Sequence, residues 1–248
     1  MKRYTDYDNF AWLYNQEWGV FANNIFPLLK EIGGENLPDK AKILDLCCGT
    51  GQLAKILTEK GYEVTGIDGS QEMLCFAQDN APEAKFIAAD ARAFKLPPTF
   101  NAVFATFDAL NHIMTLSELL QVFKNVYQCL ASGGIFIFDL TTKHHFEVHC
   151  RDYVRITEKP DYFYVMRGDY YEKRRTSDWR CTLFRRQCKT WQRSDISLTQ
   201  THYANADVKK ALREAGFKDI RVTASEPGIG PHKPTKNSFR LFYYARKP

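Results

Sequence analysis

The stretch ILDLCCGTGQLA, residues 43–54, brings an acid (Asp45), two adjacent cysteines (Cys47 and Cys48) and two glycines (Gly49 and Gly51) together between an apolar run and a helix-forming one. Three chemistries suit such a turn: a metal on thiolates, a phosphate on backbone N–H groups, or another ligand that the main chain approaches closely. Adjacent cysteines on a tight turn point apart and no CxxC pair elsewhere completes a site, so no metal is expected. The spacing Gly49-x-Gly51-x-x-Ala54 matches a dinucleotide-binding fingerprint that follows a strand and opens a helix. The acids decide between the remaining two. Asp45, Asp68 and Asp90 each close an apolar run, which sets three carboxylates along one sheet edge. A pyrophosphate is repelled there, whereas a ligand with a cationic centre, a ribose and an adenine is not.

The elements that must position these residues alternate. AKILDL (41–46) reads as a strand, QLAKILTEKG (52–61) as a helix stopped by Gly61, and YEVTGID (62–68) as a second strand. A helix capped by Ser70 follows, then strands at KFIAAD (85–90), NAVFATF (101–107) and GGIFIFDL (133–140), with SELLQVFKNVYQCLASGG as the helix between the last two. Repeated βα units give a parallel sheet with helices on both faces and ligands at the carboxyl ends of its strands. From residue 146 the pattern changes to four aromatic, β-branched runs without helical period, which predicts an antiparallel β insertion over 146–202. The βα pattern resumes over 203–248, with a helix at NADVKKALREAGF capped near Asn205 or Asp207, strands at KDIRVTASE and SFRLFYYARK, and EPGIGPHKPTKN (226–237) as the connecting loop.

At 248 residues, 44% hydrophobic and 25% charged, the chain can bury one sizeable core. Seven cysteines at irregular spacings argue for free thiols and a reducing compartment, and the N-terminal MKRYTDYDNFAWLYN lacks an apolar signal core, so a cytoplasmic protein that crosses no membrane is expected. The net charge of +5 conceals an asymmetry. Residues 1–150 carry 12 Lys and Arg against 18 Asp and Glu, and residues 151–248 carry 22 against 11.

The glycine turn with its acid, and the acid GID at the second strand end, make the sequence similar to the class I S-adenosylmethionine-dependent methyltransferases. The resemblance covers most of the chain outside the insertion. It implies an α/β fold with a doubly wound, Rossmann-like, mostly parallel sheet carrying an antiparallel β insertion, and S-adenosyl-L-methionine as cofactor. Carried over by position, it implies that Asp45 serves the methionine end, that Gly49 and Gly51 admit the main chain, that Asp68 accepts from the ribose, that Met73 packs near the adenine, and that Asp90 with the Ala91 backbone reads the adenine edge. Cys47 stands where the family most often has Gly. The aromatic segment Tyr4, Tyr7, Tyr14 and Trp18, within residues 1–35, resembles the family's N-terminal lid, with Tyr14 toward the cofactor. In this family the fourth strand end faces the methyl group, which makes Asp108, Asn111 and His112 in FATFDALNHIM the candidates for orienting the acceptor or taking its proton. No N-P-P-Y type motif is present.

The resulting expectation is methyl transfer to a nitrogen or oxygen of a small molecule, with residues 36–145 and 203–248 binding the cofactor and the insertion covering the acceptor. Residues 173–193 carry eight Lys or Arg against the single acid Asp178, so one or two of these arginines are expected to bind an acidic group on the acceptor. The same basic ribbon leaves an RNA methyltransferase as the alternative, although no separate RNA-binding module is recognisable. A non-catalytic binding protein on this fold and an NAD-dependent oxidoreductase stand as further alternatives.

Overall fold

The computed structural model describes residues 5–226 and 229–248, so Tyr4 of the aromatic segment lies outside the described residues. The helices are α1 (Thr5–Glu17), α2 (Phe21–Ile32), α3 (Gln52–Glu59), α4 (Gln71–Asn80), α5 (Leu116–Cys129), the single turn α6 (Lys143–His145) and α7 (Asn205–Glu214). The strands are β1 (Lys42–Leu46), β2 (Glu63–Asp68), β3 (Lys85–Ala88), β4 (Phe100–Ala105), β5 (Leu130–Thr141), β6 (Tyr153–Lys159), β7 (Tyr162–Tyr171), β8 (Thr176–Gln187), β9 (Thr190–Thr201), β10 (Lys218–Glu226), β11 (Ile229–His232) and β12 (Arg240–Arg246).

Eight strands form the main sheet in the order β11-β10-β12-β5-β4-β1-β2-β3. The five from β5 to β3 are parallel, and β12 is inserted antiparallel between β5 and β10. Strand order reverses between β1 and β4, the switch point at which a crevice opens beyond the strand ends. Both faces are covered. In β5, Phe136 and Phe138 pack with α5 and α7 on one side, while Ile135 and Ile137 pack with α2 and α3 on the other. This double burial is why the central strands read as continuous apolar runs rather than alternating ones.

The insertion is a separate antiparallel sheet in the order β6-β7-β8-β9. Its inner face, including Tyr164, Met166, Cys181, Leu183 and Ile196, packs on Phe10 and Leu13 of α1 and on Met73 of α4. Glu17 fastens the end of α1 to this sheet, accepting from the Tyr162 hydroxyl at 2.6 Å and the Tyr164 hydroxyl at 2.9 Å. At the other end of the helix, Asp8 accepts from the Ser70 hydroxyl at 2.6 Å. Within residues 5–35, α1 and Trp18 just after it lie against the insertion. Helix α2 packs on the main sheet beside α3.

Several boundaries differ from the sequence reading. Strand β3 ends at Ala88, and Asp90 sits in the turn beyond it. Residues 130–134, read as the end of a helix, already belong to β5, because Leu130 pairs with Phe100. The stretch 226–237 is not wholly loop, since β11 pairs antiparallel with β10; Pro227 and Gly228 lie outside the described residues. Helix α7 starts after Ala204 without a side-chain cap, and neither Asn205 nor Asp207 serves that role. Ser70 does cap α4, accepting from the Met73 N–H at 3.1 Å.

Candidate active site

The turn after β1 is built from left-handed backbone. Cys47, Gly49 and Gly51 have φ of 59°, 53° and 81°. At Gly51 an added Cβ would lie 2.9 Å from Ala77 of α4, so both conformation and space demand glycine. Cys47 holds a conformation that disfavours any side chain, and its thiol, raised by burial and by Asp68 and Asp45, stays protonated and unreactive.

Asp68, at the last position of β2, locks this turn. Its Oδ2 accepts from the Gly49 N–H and its Oδ1 from the Ser70 N–H, both at 2.9 Å. Burial raises its pKa despite these backbone donors. Asp45 is almost fully buried; desolvation and the nearby Asp68 push its carboxyl up to about 7. Its Oδ2 has no hydrogen-bond partner among the described residues and borders a small hollow shared with Tyr14, Gln52 and Thr106. Asp90 receives the Arg92 side chain, with Nε donating at 2.8 Å, and its Oδ1 also accepts from the Arg92 backbone N–H.

A cavity of about 390 Å³ runs from Asp68 and Asp90 past the end of β4 to the inner face of the insertion. Cys47, Gly49, Met73 and Ala91 line it with them. Helix α1 lines one side with Tyr7, Phe10 and Tyr14, joined by Trp18 just after it, and the insertion lines another with Tyr153, Met166, Trp179 and Leu198. This volume falls in the usual range for small-molecule sites, and the apolar and aromatic walls exclude water.

Polar groups converge at the end of β4. Phe107 and Asp108 both take left-handed conformations, with φ of 64° and 50°, and the Asp108 N–H donates to Asp139 at 2.9 Å. Two non-glycine residues in this region are strained and are held only by their surroundings. Arg240 of β12 donates to Asp108 at 2.7 Å and, through its other terminal nitrogen, to the fully buried Asp139. Burial opposes its charge, but the two carboxylates outweigh burial and raise its pKa. Burial is the first influence on Asp139 too and raises its carboxyl, against the pull of Arg240.

His112 lies beside this triad. Its Nδ1 is 3.0 Å from the Thr199 carbonyl, which only accepts, so Nδ1 carries the proton. Its Nε2 faces the Gln200 amide nitrogen at 3.1 Å, and Tyr7 of α1 packs edge-on against the ring. Burial lowers the His112 pKa, partly offset by Asp108. His145 of α6 also borders the cavity, and burial together with Arg240 lowers it to about 4.

Asp108 and His112 thus line the cavity as the sequence suggested, but Asn111 does not. It is fully buried, its amide donates to the carbonyls of Thr141 and Thr201, and its oxygen accepts from the Thr141 N–H. These three bonds join β5 of the main sheet to β9 and use both of its N–H donors. Nor do the eight basic residues of 173–193 reach the cavity. Arg180, Arg186 and Arg193 pair with Asp169, Asp161 and Asp195, while Arg185 stacks on Trp12 at 4.1 Å. The arginines that line it are Arg92, Arg155 and Arg240, of which Arg155 sits half-exposed beside Glu17. Arg240, Gln200, Trp179 and His145 were missed in the sequence, because they come from separate elements and belong to no motif.

Among the described residues, no group of three or more His, Cys, Asp or Glu is placed to hold a metal, and no helix is long and apolar enough to cross a membrane. Residues 43–134 match a family model described as a methyltransferase domain. A putative methyltransferase of Bacillus subtilis, YqeM, is 31% identical over 216 residues, 86% of either chain. A dTDP-3-amino-3,4,6-trideoxy-alpha-D-glucopyranose N,N-dimethyltransferase of Streptomyces venezuelae is 26% identical over 133 residues, 54% of either chain. An S-adenosylmethionine-dependent methyltransferase from Clostridium acetobutylicum superposes with a TM-score of 0.79 at 21% identity, covering 97% of this chain and 98% of that one. With its glycine turn, its strand order and these relatives taken together, the chain belongs to the class I S-adenosylmethionine-dependent methyltransferases.

Proposed function

We propose that this enzyme methylates a nitrogen or oxygen of a small molecule held between the end of β4 and the inner face of the insertion. The observation that carries this reading is the cavity of about 390 Å³ between the end of β4, the N-terminal aromatic residues and the insertion, a size that suits a small ligand. The relationship to an amino-sugar N,N-dimethyltransferase supports the same acceptor class. An RNA acceptor loses its main support, since the basic ribbon turns away from the cavity.

The residues present fit the cofactor. Gly49 brings main chain without a side chain to the cavity wall, Asp45 offers a buried oxygen with no partner among the described residues, and the Asp68 carboxylate borders the cavity with lone pairs beyond those used by the turn. In this reading Asp68 holds the ribose, Asp90 and the Ala91 backbone meet the adenine, Met73 packs beneath it, and Asp45, Cys47 and the glycine turn surround the methionine end with Tyr14 above. S-adenosylmethionine supplies, when bound, an electrophilic methyl group on a positively charged sulfur. The chain's own contribution is alignment and dryness: the aromatic walls exclude water, and the buried ion triad fixes the turn that presents Asp108. His112, neutral at Nε2 and bordering the cavity, is the group that takes the acceptor's proton.

Replacing Asp68 by Ala should weaken cofactor binding on the order of tenfold to several hundredfold, for two charge-assisted bonds of roughly 1.5–3 kcal/mol that are not additive. Isothermal titration with S-adenosylhomocysteine measures this, and an unchanged affinity removes Asp68 from the site. Asp68→Asn retains one acceptor, but its amide N–H₂ must then face the Gly49 or the Ser70 N–H, so some loss remains.

The acceptor class is tested by incubating the enzyme with methyl-labelled cofactor and panels of small amines, amino sugars, alcohols and carboxylated acceptors, alongside bulk RNA over a salt series. Label should appear in small products. Labelled RNA, bound with a salt slope of about −0.7 per phosphate contact, would replace this reading with the RNA one.

A further inference from the structure

Gln200 of β9 lies where three polar groups meet, and its amide orientation is fixed by them. Its Oε1 accepts from the Trp179 indole N–H at 3.1 Å, and an indole only donates. Its Nε2 donates to the Asp108 carboxylate and faces His112 Nε2. Turning the amide over would set N–H against N–H at Trp179 and oxygen against oxygen at Asp108. The side chain is nearly buried, so such conflicts are not relieved by water.

We infer that Gln200 is a positioning residue for methyl transfer: its amide N–H, together with the Thr199 carbonyl, holds His112 in the Nδ1–H tautomer, and the acceptor must replace the Gln200 N–H at Nε2 before that nitrogen can receive a proton. The consequence for His112 is a matter of donors and acceptors. With Nδ1–H given to Thr199, a protonated ring would direct Nε2–H at the Gln200 N–H. The lock therefore holds the base neutral and hides its lone pair until an acceptor N–H or O–H competes for it. The acceptor's proton then passes to Nε2, and the electron pair of the broken bond stays on the acceptor atom. Since Gln200, Trp179 and Thr199 all belong to the insertion, the segment that covers the acceptor also controls the base. The inference rests on the reading of His112 as proton acceptor. The titratable and charged groups around His112 are Asp108 on its own segment, Tyr7 of α1 and, behind Asp108, Arg240 of β12; β9 presents the Thr199 carbonyl and the Gln200 amide.

Two variants of the full chain test it by nitrogen-detected NMR of the histidine rings without ligand. Gln200→Glu keeps the shape of the side chain and an acceptor for Trp179, and turns an oxygen toward both Nε2 and the Asp108 carboxylate, so a protonated His112 ring or a proton shared between the two carboxylates relieves the added charge. It should raise the His112 pKa by about one pH unit or more and stabilise the doubly protonated ring. Trp179→Phe removes one of the two anchors of the Gln200 amide while Asp108 keeps the other, and should give a smaller rise. The wild-type enzyme should show protonation at Nδ1 alone through neutral pH. A His112 titration and tautomer unchanged in both variants would overturn the lock. In kinetics, the acid limb of kcat/KM, which reports the free enzyme, should move upward in Gln200→Glu by the same amount as the NMR pKa. A shifted NMR titration with an unmoved limb would sustain the lock while overturning His112 as the base.

Discussion

His112→Ala is expected to lower the methyl-transfer rate by about 10²–10⁴-fold at neutral pH, the usual contribution of a positioned base, with cofactor affinity unchanged. The pH dependence carries the diagnosis. Burial holds the His112 pKa below its ordinary value of 6.5, so the wild-type base is neutral and competent at pH 7 and loses activity only as pH falls through that lowered value. In the alanine variant no base remains, and the rate should recover toward high pH, where the acceptor sheds its own proton. The deficit is therefore largest at low pH. Single-turnover rates across pH, paired with cofactor titrations, measure both quantities. A uniform loss at every pH would assign His112 to positioning, and no loss would make the histidine structural.

Arg240→Met should produce the largest stability change. The guanidinium is mostly buried and joins Asp139, which is fully buried, to Asp108. Removing one partner of such a group leaves uncompensated carboxylates, at a cost of about 3–5 kcal/mol. The sign with pH follows from Asp139, whose pKa burial already raises in the wild-type fold. Without Arg240 it rises further. An acid whose folded pKa lies above its unfolded one favours the fold when protonated and loses that advantage as pH rises through the folded value. The variant's deficit should therefore be greater at pH 8 than at pH 5 in urea unfolding. Equal deficits at the two pH values would attribute the loss to packing rather than charge. The strained turn at Phe107 and Asp108 should loosen as well, since Asp139 then binds the Asp108 N–H alone.

The sequence by itself determined the frame of this protein. Apolar runs alternating with helical patterns specify a parallel sheet, because a strand buried on both faces must be apolar throughout and each crossover requires a helix. Left-handed backbone at 49 and 51 called for glycine, and the acid at the end of β2 fell in register with that turn, so the turn and the carboxylate that locks it were legible from local spacing. The change to β-branched, aromatic runs after residue 145 likewise marked the insertion. The far end of the cavity, by contrast, follows from tertiary structure. Asn111 and His112 are adjacent in sequence, yet one is consumed by carbonyls of β5 and β9 while the other borders the cavity, an outcome set by the short helical turn they share and by the strand that packs on it. The arginines of 173–193 appear equivalent in sequence. Strand alternation and nearby acids turn them to the outside or onto α1, and the cavity takes Arg240 from the last strand, brought beside Asp108 by antiparallel insertion of β12 next to β5. Contacts between residues separated by 90 or 132 positions, as between Asn111 and Thr201 or Asp108 and Arg240, leave no local period for a sequence to display, because chain folding and not spacing brings them together.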